Sequence, residues 1–154
     1  MILTAQRIAE CLDESERGGT DDPLIISPCP EIAKLRNSGS GSIDLRLGTW
    51  FLTLRPARMT HLAIKNRASE SELTKMHYVP FGEEYHLHPR NFVLAATLEW
   101  IRLPRDMAGY VVGRSSWGRR GIIIATATGV HPGFTGCLTL ELSNVATLPI
   151  TLYY

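Results

Sequence analysis

The order of apolar and polar residues predicts one short helix near the start of the chain. Between residues 4 and 14, Ile8 and Leu12 lie four positions apart on one helical face, and Thr4 occupies the position of an N-cap. Two glycines and a proline follow, and they are expected to end the helix. Residues 21–42 are rich in Pro, Ser, Gly and Asn, so this stretch is predicted to be mostly loop.

Alternation of apolar and polar residues predicts strands along most of the remaining chain. It is clearest in residues 42–47, where Asp44 lies on the polar face, and in residues 137–143, where leucines share one face and Glu141 lies on the other. Further strands are predicted at residues 50–54, 85–88, 92–102, 110–113, 122–127 and 148–153. Residues 56–77 are polar and mixed, which predicts a long excursion. Many short strands separated by Gly and Pro indicate an all-β barrel or sandwich.

Composition narrows the possible functions. The chain has 154 residues, with 16 Lys and Arg against 15 Asp and Glu, so its formal net charge is +1. A near-neutral chain is not expected to coat a nucleic acid polymer. No apolar run approaches the roughly 18–20 residues that span a membrane. Residues 1–7 lack the apolar core of a signal peptide, so a soluble, cytoplasmic, single-domain protein is expected.

The cysteines and histidines do not form a recognisable metal site in the sequence. Cys11, Cys29 and Cys137 are far apart and form no C-x-x-C pair, so neither a disulfide framework nor a cysteine zinc site is expected. Cys11 and Cys137 are interpreted as packing residues rather than nucleophiles. His86 and His88 share one face of a predicted strand and could bind a metal, but no acidic or cysteine ligand lies near them in sequence.

The segment at residues 113–121 holds three arginines, two serines and three glycines. Arginine offers a planar fork of donors that matches phosphate oxygens, and serine hydroxyls and backbone N–H groups can bind the same anion. The segment has neither the lysine of a Walker loop nor a G-x-G-x-x-G fingerprint. Two interpretations remain open, a phosphate-binding site and a solvated basic turn.

Glu141 lies in the middle of a predicted strand between two leucines, where acidic residues are uncommon. If its face lines a pocket, removal from water would favour the protonated carboxyl group and suit the residue to general acid–base catalysis. The other interpretation is a polar residue on the wet face of a half-buried strand. The residue pattern alone leaves both open.

Several blocks of the sequence, in the same order, resemble the dCTP deaminase family. Residues 42–48, Ser-Ile-Asp-Leu-Arg-Leu-Gly, resemble the family's S-x-D-L-R-L-G segment, and residues 113–119 resemble its phosphate-binding block. Residues 87–99 and 125–144 are similar to further blocks of the family. The resemblance implies a single deaminase-like domain over residues 1–154, with an all-β, dUTPase-like fold (a distorted β-barrel or β-clip). It also implies a homotrimer with active sites between subunits.

The activity that this resemblance implies is the hydrolytic deamination of dCTP at C4 of the cytosine, which cleaves a cyclic amidine C–N bond and gives dUTP and ammonia. Mg²⁺ would accompany the triphosphate, no metal would act at the reacting carbon, and zinc is not expected. Glu141 would be the general base that activates water, and Arg119 would orient the site beside it. Arg114, Ser115, Ser116 and Arg119 would together hold the triphosphate and orient the site. The backbone of Ala127 is expected at the cytosine, and Thr126 and His131 at the base and sugar.

Three features of this chain depart from the family pattern. His131 stands where the family usually has Asp, and because the acid in this region activates the hydrolytic water in related dUTPases, triphosphate hydrolysis is not expected here. Residues 121–127 are one residue shorter than in the family, with Ile124 near the position of its usual His. The sequence stops at Tyr154, so, on this resemblance, the family's last strand and C-terminal tail are expected to be missing. The missing tail leaves open a non-catalytic homologue that binds nucleotides or a partner protein. The other alternative is a dUTPase-type pyrophosphatase, although His131 argues against it.

Overall fold

The computed structural model describes residues 2–54 and 74–153, and β-strands make up most of its regular structure. Its helices are α1 (Ala5–Glu16), α2 (Ile32–Asn37) and α3 (Ser115–Gly118). Its strands are β1 (Ile25–Ser27), β2 (Leu47–Leu54), β3 (Thr74–Tyr78), β4 (Tyr85–Leu87), β5 (Phe92–Arg102), β6 (Gly109–Tyr110), β7 (Ile122–Ile124), β8 (Gly129–Val130), β9 (Thr135–Asn144) and β10 (Ile150–Leu152). The expectation of a β-rich chain with a short N-terminal helix is confirmed. Most of the predicted excursion at residues 56–77 lies outside the described residues.

The described strands pair into three sheets. The largest sheet has six strands, five of them in the order β3–β2–β5–β9–β7, while β1 pairs with β5 off this path. β4 pairs with β10, and β6 pairs with β8. The pairs β1–β5, β2–β3 and β7–β9 are antiparallel. Within the described ranges the sheets are not closed on themselves, so the implied barrel is open there.

Contacts along the chain group into two compact units, each built from three separate segments. The first unit consists of residues 1–48, 97–112 and 127–138, and the second of residues 49–96, 113–126 and 139–154. The expectation of a single domain over the whole chain stays a prediction.

In the first unit, α1 forms for local reasons that the sequence shows. The hydroxyl oxygen of Thr4 accepts a hydrogen bond from the backbone N–H of Arg7 at 3.3 Å, which is the expected N-cap. Leu12 is buried on the core side of the helix. The helix ends before Gly18, whose φ of +68° lies in the left-handed region. The predicted helix at residues 4–14 is therefore confirmed.

The same unit contains two elements within residues 21–42, the stretch predicted to be mostly loop. β1 pairs with β5, which places Ile26 opposite Ile101, and α2 buries Leu35 in the same apolar core as α1. The stretch is mostly loop, as predicted, but the prediction missed these two short elements because their pairing and burial partners come from other parts of the chain. Local composition cannot show such partners.

The strand predicted at residues 42–47 begins only at its last residue, Leu47. Arg46, just before it, donates its backbone N–H to Oε2 of Glu99 at 2.8 Å and its side-chain Nε–H to Oε1 of the same residue at 2.7 Å. Glu99 is buried, so one neighbour satisfies both oxygens of its carboxylate. A side chain, not a neighbouring strand, therefore accepts the Arg46 backbone N–H.

The second unit has its own buried residues, including Phe51 and Val93. The ring of Phe51 stacks on that of Tyr85 with centroids 4.3 Å apart and planes 3° from parallel. The prediction at residues 92–102 is confirmed as one continuous strand, β5. The strand predicted at residues 122–127 is shorter than expected, since β7 ends at Ile124.

The three cysteines are free thiols, as expected. Cys11 packs against the core of the first unit, which confirms its interpretation as a packing residue. Cys137 is exposed, so the same interpretation was wrong for it. It lies on the outward face of β9, where it alternates with the half-buried Leu138. None of the described helices is long and apolar enough to cross a membrane.

Candidate active site

β9 carries Glu141 with the alternation that the sequence predicts. Leu142 is buried on one face of the strand, and Glu141 is half-buried on the other. β7 runs antiparallel beside β9 and places Ile124 opposite Leu142. One residue further along, the N–H of Ala125 donates to the carbonyl oxygen of Glu141 at 2.8 Å. The backbone of Glu141 is therefore held in place by the residues at the end of β7.

Thr126 continues this pairing with its side chain. The backbone N–H of Glu141 donates to Oγ1 of Thr126 at 2.7 Å. The sequence analysis expected Thr126 near the base and sugar, and the structure brings it into direct contact with Glu141. Its hydroxyl oxygen is used as an acceptor, while the hydroxyl hydrogen can still be donated to a ligand.

The arginine- and serine-rich segment at residues 113–121 folds into the single turn of α3, an element that the sequence analysis did not predict. The carbonyl oxygen of Arg114 accepts the N–H groups of Trp117 and Gly118 at 3.0 and 3.1 Å. The N–H of Arg119 donates to the carbonyl oxygen of Ser115 at 3.0 Å. Of the four residues expected to bind the triphosphate, each has an exposed side chain: Arg114, Ser115, Ser116 and Arg119.

The segment begins and ends with glycines that pack closely against other residues of the second unit. A Cβ atom on Gly113 would lie 3.2 Å from Cδ1 of Ile124 in β7. A Cβ atom on Gly121, whose φ is +96°, would lie only 2.7 Å from Cβ of Ala146. The segment is therefore attached to β7 at its start and to the turn after β9 at its end, within the unit that also carries Glu141.

One arginine of the segment is engaged by its own neighbour. The guanidinium carbon of Arg120 lies 5.2 Å from the ring centroid of Trp117, a cation–π distance. The resemblance gave an expected role on phosphate to the other two arginines of the segment, Arg114 and Arg119, and not to Arg120.

Ala127 and His131 belong to the first unit. Both are exposed, and the carbonyl oxygen of His131 accepts the N–H of Phe134 at 3.1 Å in a turn. Their expected roles at the base and sugar stay predictions.

Asn144 was not singled out in the sequence analysis, yet it is completely buried in the second unit. Its Nδ2 group donates to the carbonyl oxygens of Leu87 and Leu148 at 2.8 and 2.9 Å. The sequence does contain a signal for it. Asn144 has the same parity as the leucines of β9, so the alternation that buries them predicts a buried amide at the end of the strand.

No three His, Cys, Asp or Glu side chains are grouped as metal ligands among residues 2–54 and 74–153. His86, considered as a metal ligand from its spacing, instead has its Nδ1 3.1 Å from the hydroxyl of Thr151 on the paired strand β10.

Comparisons with known proteins agree on one family. A family model described as dCTP deaminase-like matches residues 2–154. A Corynebacterium efficiens protein named "dCTP deaminase, dUMP-forming" is 40% identical over 155 residues, which cover 99% of this chain and 73% of that protein. Proteins of the same name are 45% identical in Corynebacterium glutamicum and 35% identical in Methanobrevibacter smithii, with similar coverage.

A solved structure shows the same fold. The crystal structure of 2′-deoxycytidine 5′-triphosphate deaminase from Agrobacterium tumefaciens matches 99% of this chain with a TM-score of 0.68 and 20% sequence identity. The chain spans 44% of the length of that solved chain. The relatives reported above are named for dUMP, whereas the sequence analysis expected dUTP as the product. With the family model matching nearly every residue and relatives up to 45% identical over almost its whole length, this chain belongs to the dCTP deaminase-like family.

Proposed function

We propose that this protein deaminates dCTP and releases dUMP, as its relatives do by name. The observation that carries the proposal is that Glu141 pairs with the residues just after β7 while the 113–121 segment packs on β7 itself. Glu141 pairs with the residues that follow β7, and the segment approaches β7 at Gly113. A carboxyl group and a group of phosphate-binding side chains are thus carried by one unit.

Deamination needs a base for the attacking water and an acid for the departing amine. In the proposed reaction, the Glu141 carboxylate takes a proton from water as its oxygen bonds to C4 of the cytosine. The same carboxyl group then delivers that proton to the amino group, the C4–N bond breaks, and ammonia leaves. The proton that remains on the added oxygen passes to ring N3, and this oxygen becomes the new carbonyl oxygen of the uracil. Arg119 donates hydrogen bonds to the negative charge that develops near C4, which lowers the activation barrier of deamination. It can also donate to the phosphate oxygens.

The triphosphate supplies binding energy remote from the reacting carbon. Guanidinium groups of Arg114 and Arg119 and the hydroxyls of Ser115 and Ser116 are the donors for its oxygens. Mg²⁺ bound to the triphosphate would take its ligands from phosphate oxygens and water and neutralise part of their charge.

Release of dUMP requires a second hydrolysis. A water attacks the α-phosphorus of dUTP, the bond to the β-phosphate oxygen breaks, and pyrophosphate leaves. His131 stands where the resembled family usually has Asp, and its imidazole nitrogen would take the place of that carboxylate as the acceptor of the water proton. The expectation of dUTP as the end product is replaced by dUMP because of the relatives' names. The proposal also places the backbone of Ala127 at the cytosine edge and includes a homotrimer with active sites between subunits. Both of these parts rest on the family resemblance alone.

The test is to incubate the protein with dCTP and Mg²⁺ and to separate the nucleotides by chromatography. The wild type should form dUMP, ammonia and pyrophosphate in equal amounts. Glu141→Gln should lower the rate by about 10²- to 10⁴-fold, the range for a lost general base. The matched control is Glu84→Gln, an exposed carboxylate in the same unit, which should leave the rate unchanged.

Each other outcome changes a defined part of the proposal. Accumulation of dUTP without dUMP would overturn the second hydrolysis and leave deamination standing. Binding of dCTP without turnover would indicate the non-catalytic homologue. Full activity of Glu141→Gln would show that another residue is the base.

A further inference from the structure

Asn144 places a fully satisfied amide at the end of the strand that carries Glu141. The side chain has no exposed surface. Its Nδ2 group donates to the carbonyl oxygens of Leu87 and Leu148 at 2.8 and 2.9 Å, and its Oδ1 accepts the backbone N–H of Ala146 at 2.8 Å. A buried amide with all these bonds made tolerates only one arrangement of its neighbours. The turn after β9 is therefore held in one conformation.

The turn after β9, at residues 145–148, holds the end of the 113–121 segment. The N–H of Val145 donates to the carbonyl oxygen of Gly121 at 2.9 Å. The α-carbon of Gly121 lies so close to Ala146 that an added Cβ would be 2.9 Å from its backbone nitrogen. Gly121 also donates its own N–H to the carbonyl oxygen of Gly118 at 3.0 Å, which closes the turn that includes Arg119. The position of Arg119 thus depends on the turn that Asn144 holds.

We propose that Asn144 is a positioning residue that sets the place of Arg119 relative to Glu141. It acts through the turn at residues 145–148 and through Gly121, without touching the nucleotide. Its own backbone pairs with Ile122, and Glu141 lies three residues earlier on the same strand, so one amide connects both parts of the site. This inference rests on the proposed deaminase function for its catalytic consequence, and on the hydrogen bonds alone for its structural one.

The donor and acceptor groups of the Asn144 side chain decide which substitutions test its connection to Gly121. Asn144→Asp keeps an oxygen to accept the Ala146 N–H but turns a second oxygen toward the carbonyls of Leu87 and Leu148, where only a donor fits. Ala146→Gly is the milder change, since it keeps every Asn144 hydrogen bond and removes only the Cβ packed on Gly121. Asn144→Asp thus disturbs the hydrogen bonds that hold the turn after β9, and Ala146→Gly disturbs the packing of that turn on Gly121.

The experiment compares these two variants with Val93→Ala, a matched control. Val93 is also completely buried in the second unit, and its truncation costs stability without changing the turn after β9. Hydrogen exchange of peptides covering residues 113–121 is measured by mass spectrometry at a temperature where every variant is folded. Steady-state kinetics with dCTP and Mg²⁺ are measured on the same preparations.

Asn144→Asp should accelerate exchange in residues 113–121 and lower kcat/KM by about ten- to a hundredfold, the effect of displacing a positioning group by about 1 Å. KM for dCTP should rise as well, since Arg119 is expected on the phosphates. Ala146→Gly should change both readouts in the same direction and by less. Val93→Ala should lower the unfolding temperature and change neither.

The failures are distinguishable. Unchanged exchange in residues 113–121 of Asn144→Asp overturns the positioning role. If that variant cannot be purified folded, unchanged exchange in Ala146→Gly overturns it instead. Faster exchange with unchanged kcat/KM overturns the role in the reaction. A wild type that does not convert dCTP refutes the proposed function, while the exchange result still decides whether Asn144 holds the segment.

Discussion

Removing the arginine of the buried Arg46–Glu99 pair should destabilise the protein more than neutralising its carboxylate. The side chain of Glu99 is 5% exposed, and that of Arg46 is 55% exposed. The carboxylate accepts one bond from the Arg46 backbone N–H and one from its Nε, at 2.8 and 2.7 Å. Arg46→Met removes the positive charge that pairs with this carboxylate, whereas Glu99→Gln removes the negative charge itself.

The magnitudes follow from what each change leaves behind. Breaking a buried ion pair from one side costs about 3–5 kcal/mol, and because the Arg46 side chain is more than half exposed, about 2–3 kcal/mol is expected for Arg46→Met. In Glu99→Gln, the amide oxygen can keep the Arg46 backbone N–H, so only about 1–1.5 kcal/mol is expected. For a chain of this size, about 2–3 kcal/mol lowers Tm by roughly 4–12 °C.

The assay is urea unfolding of the wild type, both single variants and the double variant Arg46→Met/Glu99→Gln, followed by tryptophan fluorescence. The double variant should be more stable than Arg46→Met, because it no longer buries an uncompensated charge. Arg7→Met is the control, since its ion pair with Glu10 is exposed and should contribute nothing measurable. The reasoning is refuted if Glu99→Gln costs as much as Arg46→Met, or if the double variant is the least stable.

Three further predictions concern single positions. Gly121→Ala should cost about 2–4 kcal/mol, from left-handed strain plus a 2.7 Å clash, whereas Gly18→Ala, with open space around it, should cost only the strain of about 1–2 kcal/mol; equal Tm values for the two would contradict this. Thr4→Ala should cost about 1 kcal/mol through the lost N-cap of α1, and an unchanged urea midpoint would show that the cap is dispensable. Burial, followed by the nearby Glu16, raises the pKa of the Cys29 thiol, so less thiolate is present at a given pH. Its labelling by a disulfide reagent should be slower in the folded protein than in the unfolded chain at pH 8, with the difference disappearing at high pH; equal rates at pH 8 would contradict this.

The sequence was a good guide wherever the structure depends on near neighbours. α1 has its cap, its apolar face and its terminating glycine within a single stretch, and all three are visible in the sequence. β5 and β9 alternate or run apolar for long enough that few other structures would bury their side chains. The same alternation indicated that Glu141 is an unusual residue on a strand, before any site was known.

The sequence was a poor guide where a partner lies far along the chain. β1 and α2 form inside a stretch with the composition of a loop, because Ile101 and the core around α1 cover them. The start of β2 is delayed because Glu99, more than fifty residues away, accepts the Arg46 N–H. Cys137 is exposed although its residue type favours burial, because the strand turns its leucines inward instead.

In the candidate site, too, the sequence indicated some features and only the tertiary structure decided others. Residue chemistry alone drew attention to Glu141 and to the arginine- and serine-rich segment, but it left a solvent-facing carboxylate and a solvated basic turn as open alternatives. Only the tertiary structure decided that Thr126 binds the Glu141 backbone and that Gly121 packs on the turn that Asn144 holds. Side-chain chemistry is a property of each residue and can be read locally. Distances between residues are set by hydrogen bonds and packing that exist only once separate segments have come together.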